Sequence, residues 1–486
     1  MTDGERAHVS DADLAIVGAG AAGLYAALTA AACGARVVVI SATELAQTAS
    51  YWAQGGLAAA LSVDDAPELH LADTIAAGRG LVRRSAAEVL ASEAPQVIAE
   101  LQRLRVRFDA DRNGNLALGL EGGHSRRRIV HAGGSATGRR LARQLAADVV
   151  HLDGITILEN TRATGLWRDP SGVQGVLCED GRVVRAGATI LATGGAAALW
   201  ERTTNPPGSM GIGVMLARAA GAAVADLELV QFHPTAVTGV PGREGFLVTE
   251  AIRGEGATLH APDGERFVDE LAPRDEVARA IWDVMQATGA ASVSLDMRMV
   301  DPARFENVVE GLRTAGLDPT RALVPVAPAV HYVMGGVVCD LHGATSVPGL
   351  FVIGETACTG LHGANRLASN SLTECCVFGA RAARAALEHR VEPAGDAPPA
   401  AVPLVLPGRS TRQALWQHAG ITRDRSGLEQ LLDDPYPLAR LIARCALKRE
   451  ETRGAHVRTD FPTLNPQLDN MHVVIRADEA TFEHWE

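Results

Sequence analysis

The sequence has few aromatic residues, few cysteines and no long apolar run. Aromatic residues make up 4% of its 486 positions whereas glycine occurs 50 times, and this composition, rich also in alanine, indicates closely packed α/β layers. The seven cysteines are odd in number and show no Cys-x-x-Cys spacing, which argues against a disulfide framework, a zinc site and an iron–sulfur site. No 18-residue apolar run free of charge and glycine occurs, so no membrane span is predicted.

The chain also lacks an excess of positive charge. Its formal net charge of −12 argues against non-specific contact with nucleic acid, which depends on clustered Lys and Arg. An anionic substrate would therefore need a local basic pocket. The first residues, MTDGERAHVSDAD, have no signal-peptide core, so a reducing cytoplasm is the expected compartment. No motif indicates a metal.

Residues 12–41 read as a strand, a glycine turn, a helix and a second strand. Gly18, Gly20 and Gly23 have the spacing G-x-G-x-x-G. This spacing permits a tight turn, close approach of a pyrophosphate and close packing of the helix, whose N-terminus then faces the phosphates. A dinucleotide-binding turn is therefore predicted. Ser41 stands where an acid normally holds a ribose hydroxyl, and serine can make this hydrogen bond more weakly.

The length predicts two or three domains. Strand-then-glycine patterns recur at 187–199 and 349–357, which predicts one dinucleotide-binding domain interrupted by an insertion. The expected fold class is α/β, with a Rossmann-like dinucleotide-binding domain, an inserted α+β capping domain and a C-terminal helical domain. The predicted bounds are 10–231 and 335–392 for the dinucleotide-binding domain, 232–334 for the capping domain, 393–409 for a proline-rich linker and 410–486 for the helical domain.

Eight motifs occur in order along nearly the whole chain. They are the glycine turn, AQGG (53–56), ATGG (192–195), QFHPT (231–235), TEAIRGEGA (249–257), PRDEVARAI (273–281), HYVMGG (331–336) and GANRLASNSL (363–372). In this order they resemble the flavoprotein family of succinate dehydrogenase, fumarate reductase and L-aspartate oxidase. The resemblance implies that the dinucleotide is FAD and that a hydride moves between flavin N5 and a carbon of a four-carbon dicarboxylate.

The resemblance also implies how FAD is held. Family members that bind FAD covalently carry a histidine five residues before the glutamine of AQGG; this position is Ala49, so non-covalent FAD is expected. The aspartate that often precedes the helix after ATGG is replaced by Ile212, so its contact is lost or supplied elsewhere. The implied FAD contacts are Gly18, Ala19, Gly20, Ala21, Ala22, Gly23, Ser41, Thr48, Ala49, Ser50, Gln54, Gly55, Gly56, Thr193, Gly194, Glu355, Ser371 and Leu372.

Two groups of residues match the family's substrate clamps. Arg366 and His331 match the clamp for one carboxylate, which a guanidinium fork can bind bidentately. His233 and Thr249 match positions at the other end of the substrate, where both can donate hydrogen bonds. Glu250 also lies there and is expected to orient a neighbour.

Arg274 matches the family's proton-transfer arginine, and Ser369 lies in a substrate-binding motif. Because arginine normally stays protonated, the acid–base role of Arg274 rests on the resemblance. Each residue has a structural alternative: His233 could simply lie at a domain junction, and Arg274 could cap a helix or pair with Asp275.

Glu121 stands before two glycines and His124 in the stretch EGGHSRRR. The resemblance to the corresponding loop of L-aspartate oxidases implies that this carboxylate recognises a substrate amine, which succinate and fumarate lack. The alternative is a surface ion pair with one of the following arginines, which would contribute little.

The implied activity is oxidation of L-aspartate to iminoaspartate, with oxygen or fumarate as the electron acceptor. This would be the first step of de novo NAD biosynthesis, with quinolinate synthase consuming the product. The alternative enzyme is a soluble fumarate reductase or succinate dehydrogenase flavoprotein. A non-enzymatic FAD-binding scaffold is the second alternative. The vicinal Cys375 and Cys376 are expected to be buried packing residues on a helix.

Overall fold

The computed structural model describes residues 9–392 and 404–486. In these residues the α-helices are α1 (Ala21–Ala32), α2 (Pro67–Ala77), α3 (Arg84–Arg103), α4 (Thr137–His151), α5 (Ile212–Ala219), α6 (Glu250–Gly254), α7 (Arg274–Thr288), α8 (Glu306–Arg313), α9 (Asn370–Glu388), α10 (Arg409–His418), α11 (Arg425–Gln430) and α12 (Pro437–Lys448).

The first strands of the described chain build the predicted nucleotide domain. They are β1 (Val9–Val17), β2 (Val37–Ile40), β3 (Leu57–Ala58), β4 (Leu118–Gly119), β5 (Ile129–Val130), β6 (Ile155–Leu158), β7 (Ala163–Asp169), β8 (Gly172–Cys178), β9 (Val183–Leu191) and β10 (Val224–Ala225).

The later strands follow in the insertion and the C-terminal half. They are β11 (Val230–Val237), β12 (Thr258–His260), β13 (Val293–Asp296), β14 (Val324–Val333), β15 (Gly336–Val338), β16 (Leu350–Val352), β17 (Ala357–Cys358), β18 (Thr422–Arg423), β19 (Val457–Arg458), β20 (Met471–Ile475) and β21 (Ala480–His484).

The central sheet has the strand order β6-β2-β1-β9-β8-β7, and β16 also pairs with β9. Strands β1, β2, β6, β9 and β16 pair in parallel, whereas β7 and β8 form an antiparallel extension. The runs 14–17 and 37–40 are buried throughout, as expected for strands covered on both faces. The predicted strand–helix–strand unit is confirmed, because β1 leads into the glycine turn, α1 and β2 follow it, and β1 pairs in parallel with β2.

The inserted segment forms a separate antiparallel sheet of order β11-β14-β13-β12. Helices α7 and α8 pack on this sheet around a core of its own that includes Ile252, Ile281, Leu295 and Leu312. The sheet and its helices form the expected α+β cap. The first strand of the cap carries His233 and the last carries His331, so both histidines lie where the cap meets the nucleotide domain.

The C-terminal region contains the three helices α10, α11 and α12, in agreement with the predicted helical domain. It also contains a β-hairpin, formed by β20 and β21, that the sequence did not predict. Strand β20 pairs with β10, more than 240 residues earlier in the chain, and completes a sheet of order β17-β15-β10-β20-β21. Residues of α12 share one core with β10 and β20. The hairpin is short and pairs with a distant strand, so local periodicity does not reveal it. Most of the predicted linker, residues 393–403, lies outside the described residues.

Within the described ranges no helix is both long enough and apolar enough to cross a bilayer. The cysteines there form no disulfide, and the same residues contain no cluster of His, Cys, Asp and Glu able to hold a metal. Cys376 is buried on α9 and Cys375 is partly buried beside it, which agrees with the packing interpretation of this pair.

Candidate active site

The glycine turn after β1 forms a cradle that only glycine can occupy. Gly18 has φ +112°, and a Cβ built on it would lie 2.2 Å from the carbonyl oxygen of Ala192. A Cβ on Gly23 would lie 2.0 Å from the carbonyl oxygen of Gly18. Gly20 is the N-cap residue of α1, so the helix amides begin directly at the turn. This geometry suits a pyrophosphate.

We expect Gly18→Ala to weaken FAD binding by on the order of 100-fold. The added methyl group would collide with backbone atoms of Ala192 and Thr193, which cannot move away as a flexible side chain can. The measurement is the FAD dissociation constant of the refolded apoprotein. Gly34→Ala is the matched control, because a Cβ there meets no atom within 4 Å although φ is also positive. Equal FAD affinity in the two variants would contradict this role for Gly18.

The loop that follows β2 supplies polar groups to the same region. The Ala21 amide donates to Ser50 Oγ at 3.0 Å, and Ser41 lies buried directly after β2. Thr48 Oγ1 and Gln54 Oε1 are buried and have no hydrogen-bond partner among the described residues. Buried polar atoms are normally paired, so these orphaned oxygens fit a bound polar ligand. Ala49 starts a short 3-10 helix here and offers no side chain for covalent attachment.

The other predicted cofactor contacts lie around the ends of β9 and β16. Thr193 Oγ1 is 3.2 Å from Thr356 Oγ1, and Gly194 has φ +77°. Glu355 accepts a hydrogen bond from the Val333 amide at 3.0 Å. Burial raises the pKa of Glu355 to about 7. These contacts join the nucleotide domain to the strand that carries His331.

Two further predicted contacts lie at the start of α9. Leu372 is buried there, while Ser371 Oγ accepts a hydrogen bond from Arg366 Nη1 at 3.1 Å. Ile212, which replaces the family's aspartate, is the first residue of α5 and supplies no carboxylate at this position.

Arg274 and Glu250 form a buried pair in the cap. Arg274 Nε donates to Glu250 Oε2 at 2.6 Å, and Arg274 Nη1 donates to Gln231 Oε1 at 3.2 Å. Burial opposes ionisation of Glu250, but the charges of Arg274 and Arg253 outweigh it and hold the pKa of Glu250 below its ordinary value. The orienting role predicted for Glu250 agrees with this geometry. Asp275 pairs with Arg79 instead, so the alternative pairing of Arg274 with Asp275 does not occur.

Arg366 lies on the opposite side of the same amide. Its Nη2 donates to Gln231 Oε1 at 3.1 Å, and its guanidinium lies over the Tyr332 ring, with Cζ 4.4 Å from the ring centroid. Arg366 Nε is buried without a hydrogen-bond partner in the described chain. Burial, reinforced by the charge of Arg274, lowers the pKa of Arg366 to about 10. The guanidinium therefore stays charged at neutral pH and has unused hydrogen-bonding capacity.

Both histidines are neutral and face each other. Burial and the nearby charges of Arg274 and Arg366 hold the pKa of His233 and of His331 well below the ordinary value, and their ring centroids are 5.3 Å apart. The Thr235 amide donates to His233 Nδ1 at 3.2 Å, so the ring hydrogen of neutral His233 is on Nε2. His331 Nδ1 lies 2.7 Å from Thr204 Oγ1. His233 can thus offer an Nε2–H donor to a carboxylate, and His331 offers the same donor in the tautomer in which the Thr204 hydroxyl donates to its Nδ1.

Glu121 is buried in this region and is not part of a surface ion pair. It is 5% exposed, and Ser369 Oγ donates to its Oε2 at 2.7 Å. Arg128 is buried elsewhere, paired with Asp65 and Asp73. The surface-pair alternative is therefore excluded. The next amide, that of Gly122, donates to Glu250 Oε1 at 2.9 Å, which joins this loop to the cap.

Two residues of the site were missed by the sequence analysis. Gln231 is fully buried and its side-chain oxygen accepts from both Arg274 and Arg366. Arg253 lies one turn after Glu250, with Nη2 3.7 Å from Glu250 Oε2. Both lie inside quoted motifs, and the i, i+3 spacing of Glu250 and Arg253 was the available signal. Thr249 is buried directly before α6, as its assignment to the site requires.

Family models agree with this arrangement. A model described as FAD binding domain matches residues 13–372, and one described as fumarate reductase flavoprotein C-term matches residues 431–485. The solved structures with a similar fold include a mutant of E. coli quinol fumarate reductase FrdA, with TM-score 0.88 and 26% identity over 99% of this chain and 97% of that chain. The fold, the glycine cradle and these matches define an FAD-dependent flavoprotein oxidoreductase.

Sequence relatives narrow this class. L-Aspartate oxidase of Caulobacter vibrioides is 45% identical over 93% of this chain and 94% of its own length. L-Aspartate oxidase of Agrobacterium fabrum is 46% identical, covering 92% of this chain and 90% of its own length. The chain belongs to the L-aspartate oxidase family. Its cofactor is FAD.

Proposed function

We propose that the protein oxidises L-aspartate to iminoaspartate while FAD is reduced to FADH2. The observation that carries this proposal is the burial of Glu121 near Arg253 and Arg366 without an ion pair to either, whereas the other carboxylate of the site, Glu250, is paired with Arg274. A carboxylate in that position attracts an ammonium group and leaves a substrate without an amine facing an uncompensated negative charge.

The charge balance of the pocket supports aspartate. It contains three buried guanidiniums and two buried carboxylates, those of Arg253, Arg274, Arg366, Glu121 and Glu250. Because both histidines are neutral, one net positive charge remains. L-Aspartate, with two carboxylates and one ammonium, carries one net negative charge and neutralises the pocket. Succinate and fumarate carry two negative charges and leave an excess, which is unfavourable in a buried site.

The clamp residues then take the two ends of the substrate. Arg366 and His331 would bind one carboxylate, and the free Nε–H of Arg366 agrees with this role. His233 and Thr249 would bind the other carboxylate. Glu121 would bind the amine between them. These contacts would hold the substrate in one orientation for loss of hydride to the cofactor.

The residues of the glycine cradle, with Ser41, Thr48, Ser50 and Gln54, would hold FAD without a covalent bond. When bound, FAD supplies the two-electron acceptor for the hydride that leaves the substrate. Oxygen, giving hydrogen peroxide, or fumarate, giving succinate, would then reoxidise the cofactor. Iminoaspartate is an unstable imine, and we propose that quinolinate synthase consumes it in the cytoplasm as the second step of de novo NAD biosynthesis.

Two routes are open for the oxidation itself. Hydride could leave the α-carbon of a neutral amine and give the imine directly. Alternatively, hydride and a proton could leave adjacent carbons and give an enamine that tautomerises. Arg274, held by Glu250 and Gln231, has a defined proton-transfer task only in the second route. L-Aspartate deuterated at the β-carbon separates the routes, because a primary isotope effect on flavin reduction is expected only in the second.

Anaerobic flavin bleaching of the purified holoprotein tests the proposed activity. L-Aspartate and succinate are added in separate cuvettes, and the flavin absorbance is followed. We expect L-aspartate to bleach the flavin much faster than succinate does. Bleaching by succinate but not by L-aspartate would instead make the protein a succinate dehydrogenase or fumarate reductase flavoprotein.

A further inference from the structure

The Ser369 side chain forms hydrogen bonds both to the Gln54-Gly55-Gly56 turn, which is part of the predicted FAD-binding loop, and to Glu121. Its Oγ accepts a hydrogen bond from the Gly56 amide at 3.0 Å and lies 2.7 Å from Glu121 Oε2. Because a hydroxyl has one donor and an amide nitrogen can only donate, the hydroxyl hydrogen of Ser369 is directed to Glu121. The chain of bonds therefore runs from Gly56 N–H through the hydroxyl to the carboxylate.

The backbone of Ser369 is held in an unusual conformation. Its φ is +60° and its ψ is 5°, the left-handed region that residues other than glycine and asparagine rarely adopt. The Ala58 amide donates to the Ser369 carbonyl oxygen at 3.1 Å, so the backbone and the side chain are both tied to residues 56–58. Glycine would adopt this conformation with less strain than serine. The presence of serine at position 369 therefore indicates that its hydroxyl group has a role.

Gly55 completes the arrangement. A Cβ on Gly55 would lie 3.2 Å from Ser369 Oγ and 3.9 Å from Glu121 Oε1, so this turn, Ser369 and Glu121 are in close contact. Glu121 Oε1 has no hydrogen-bond partner among the described residues, and protein atoms do not enclose it completely. One carboxylate oxygen is thus fixed by Ser369, and the other is available to a ligand.

We propose that Ser369 is a positioning residue that fixes the rotamer of Glu121 for amine recognition, rather than a residue that binds the substrate directly. This inference rests on the proposed function, because it gives Glu121 the substrate amine as its partner. It also connects the two binding steps. The same hydroxyl that aims Glu121 is held by the Gln54-Gly55-Gly56 turn, so the FAD-binding loop and the amine-recognising carboxylate are ordered together.

The test compares Ser369→Ala and Ser369→Gly with the wild-type holoprotein. Both variants lack the hydroxyl, whereas glycine also removes the left-handed strain. We expect both to raise the KM for L-aspartate by about tenfold, the loss of one charge-assisted hydrogen bond, with a smaller change in kcat. Fumarate reduction should fall much less than aspartate oxidation. Ser92→Ala is the matched control, because Ser92 is exposed and bonds only its own helix.

A double-mutant cycle with Glu121→Gln distinguishes positioning from direct binding. If Ser369 acts through Glu121, Ser369→Ala should add no further rise in KM in the Glu121→Gln background. The proposal would be overturned if the rises in KM caused by Ser369→Ala and Glu121→Gln were additive in the double variant. It would also be overturned if the Ser369 variants lost aspartate and fumarate activity equally, or if Ser369→Ala and Ser369→Gly both left the KM unchanged. If L-aspartate failed to bleach the flavin of the wild-type protein, the proposed function itself would be refuted.

Discussion

Arg366→Met is expected to lower kcat/KM for L-aspartate by on the order of 10⁴-fold while the purified protein stays yellow. Methionine has a similar length but cannot form the planar fork that binds a carboxylate. The guanidinium is buried, lies over the Tyr332 ring and carries an Nε–H without a partner among the described residues, so a bound carboxylate would supply the missing hydrogen-bond acceptor. Burial already lowers the pKa of Arg366 to about 10, and removal of this charge should not unfold the domain.

Two controls give this prediction its meaning. Arg366→Lys keeps the charge but not the fork and should recover only a small part of the activity. Arg390→Met replaces an exposed arginine that pairs with Asp13 and should leave the activity unchanged. Steady-state kinetics and the FAD content of each preparation are measured together. Turnover within tenfold of wild type in Arg366→Met would show that Arg366 does not clamp the substrate.

Glu121→Gln is expected to lower kcat/KM for L-aspartate by on the order of 10³-fold. The variant keeps the shape of the side chain and removes the charge that would meet the ammonium group. The buried pocket would then carry one more net positive charge, which suits a dicarboxylate that lacks an amine. The discrimination between L-aspartate and succinate should therefore fall strongly, and fumarate reduction should be affected least.

Rapid mixing of oxidised holoprotein with L-aspartate or succinate measures this change as the rate of flavin reduction. Glu88→Gln is the matched control, since Glu88 is an exposed residue paired with Arg84. If Glu121→Gln lowers both substrates by the same factor, Glu121 supports the site structurally and does not recognise the amine.

Local sequence was sufficient to predict the glycine turn and the first strands, because these features depend on the backbone geometry of short segments. Gly23 must be glycine because a Cβ there would overlap the carbonyl oxygen of Gly18 within the same turn, so the G-x-G-x-x-G spacing predicts the turn. The fold adds a second constraint on Gly18, because a Cβ there would overlap backbone atoms of the distant Ala192. The buried runs of β1 and β2 read directly as strands. Arg366, His331 and His233 were assigned through motifs, and the structure brings all three close together.

The C-terminal hairpin and the role of Gln231 required the tertiary structure. Strand β20 is recognisable only by its pairing with β10. In the sequence, nothing distinguishes Gln231 from any other glutamine in a strand. Its role follows from the fold, which brings Arg274 and Arg366 to its side-chain oxygen. Glutamine has no charge that would single it out in sequence.

Glu121 shows where the division falls. The sequence by itself determined that a carboxylate precedes a glycine pair in a stretch rich in arginine, and a surface ion pair was an equally physical interpretation of that charge pattern. Only the tertiary structure excludes the surface ion pair, because it buries Glu121 against Ser369, 248 positions later in the chain, and pairs Arg128 with Asp65 and Asp73 instead. The cradle and clamp residues were predicted from short motifs, which are local properties of the chain. The partner of a charge depends on which distant segments the fold brings within hydrogen-bonding distance.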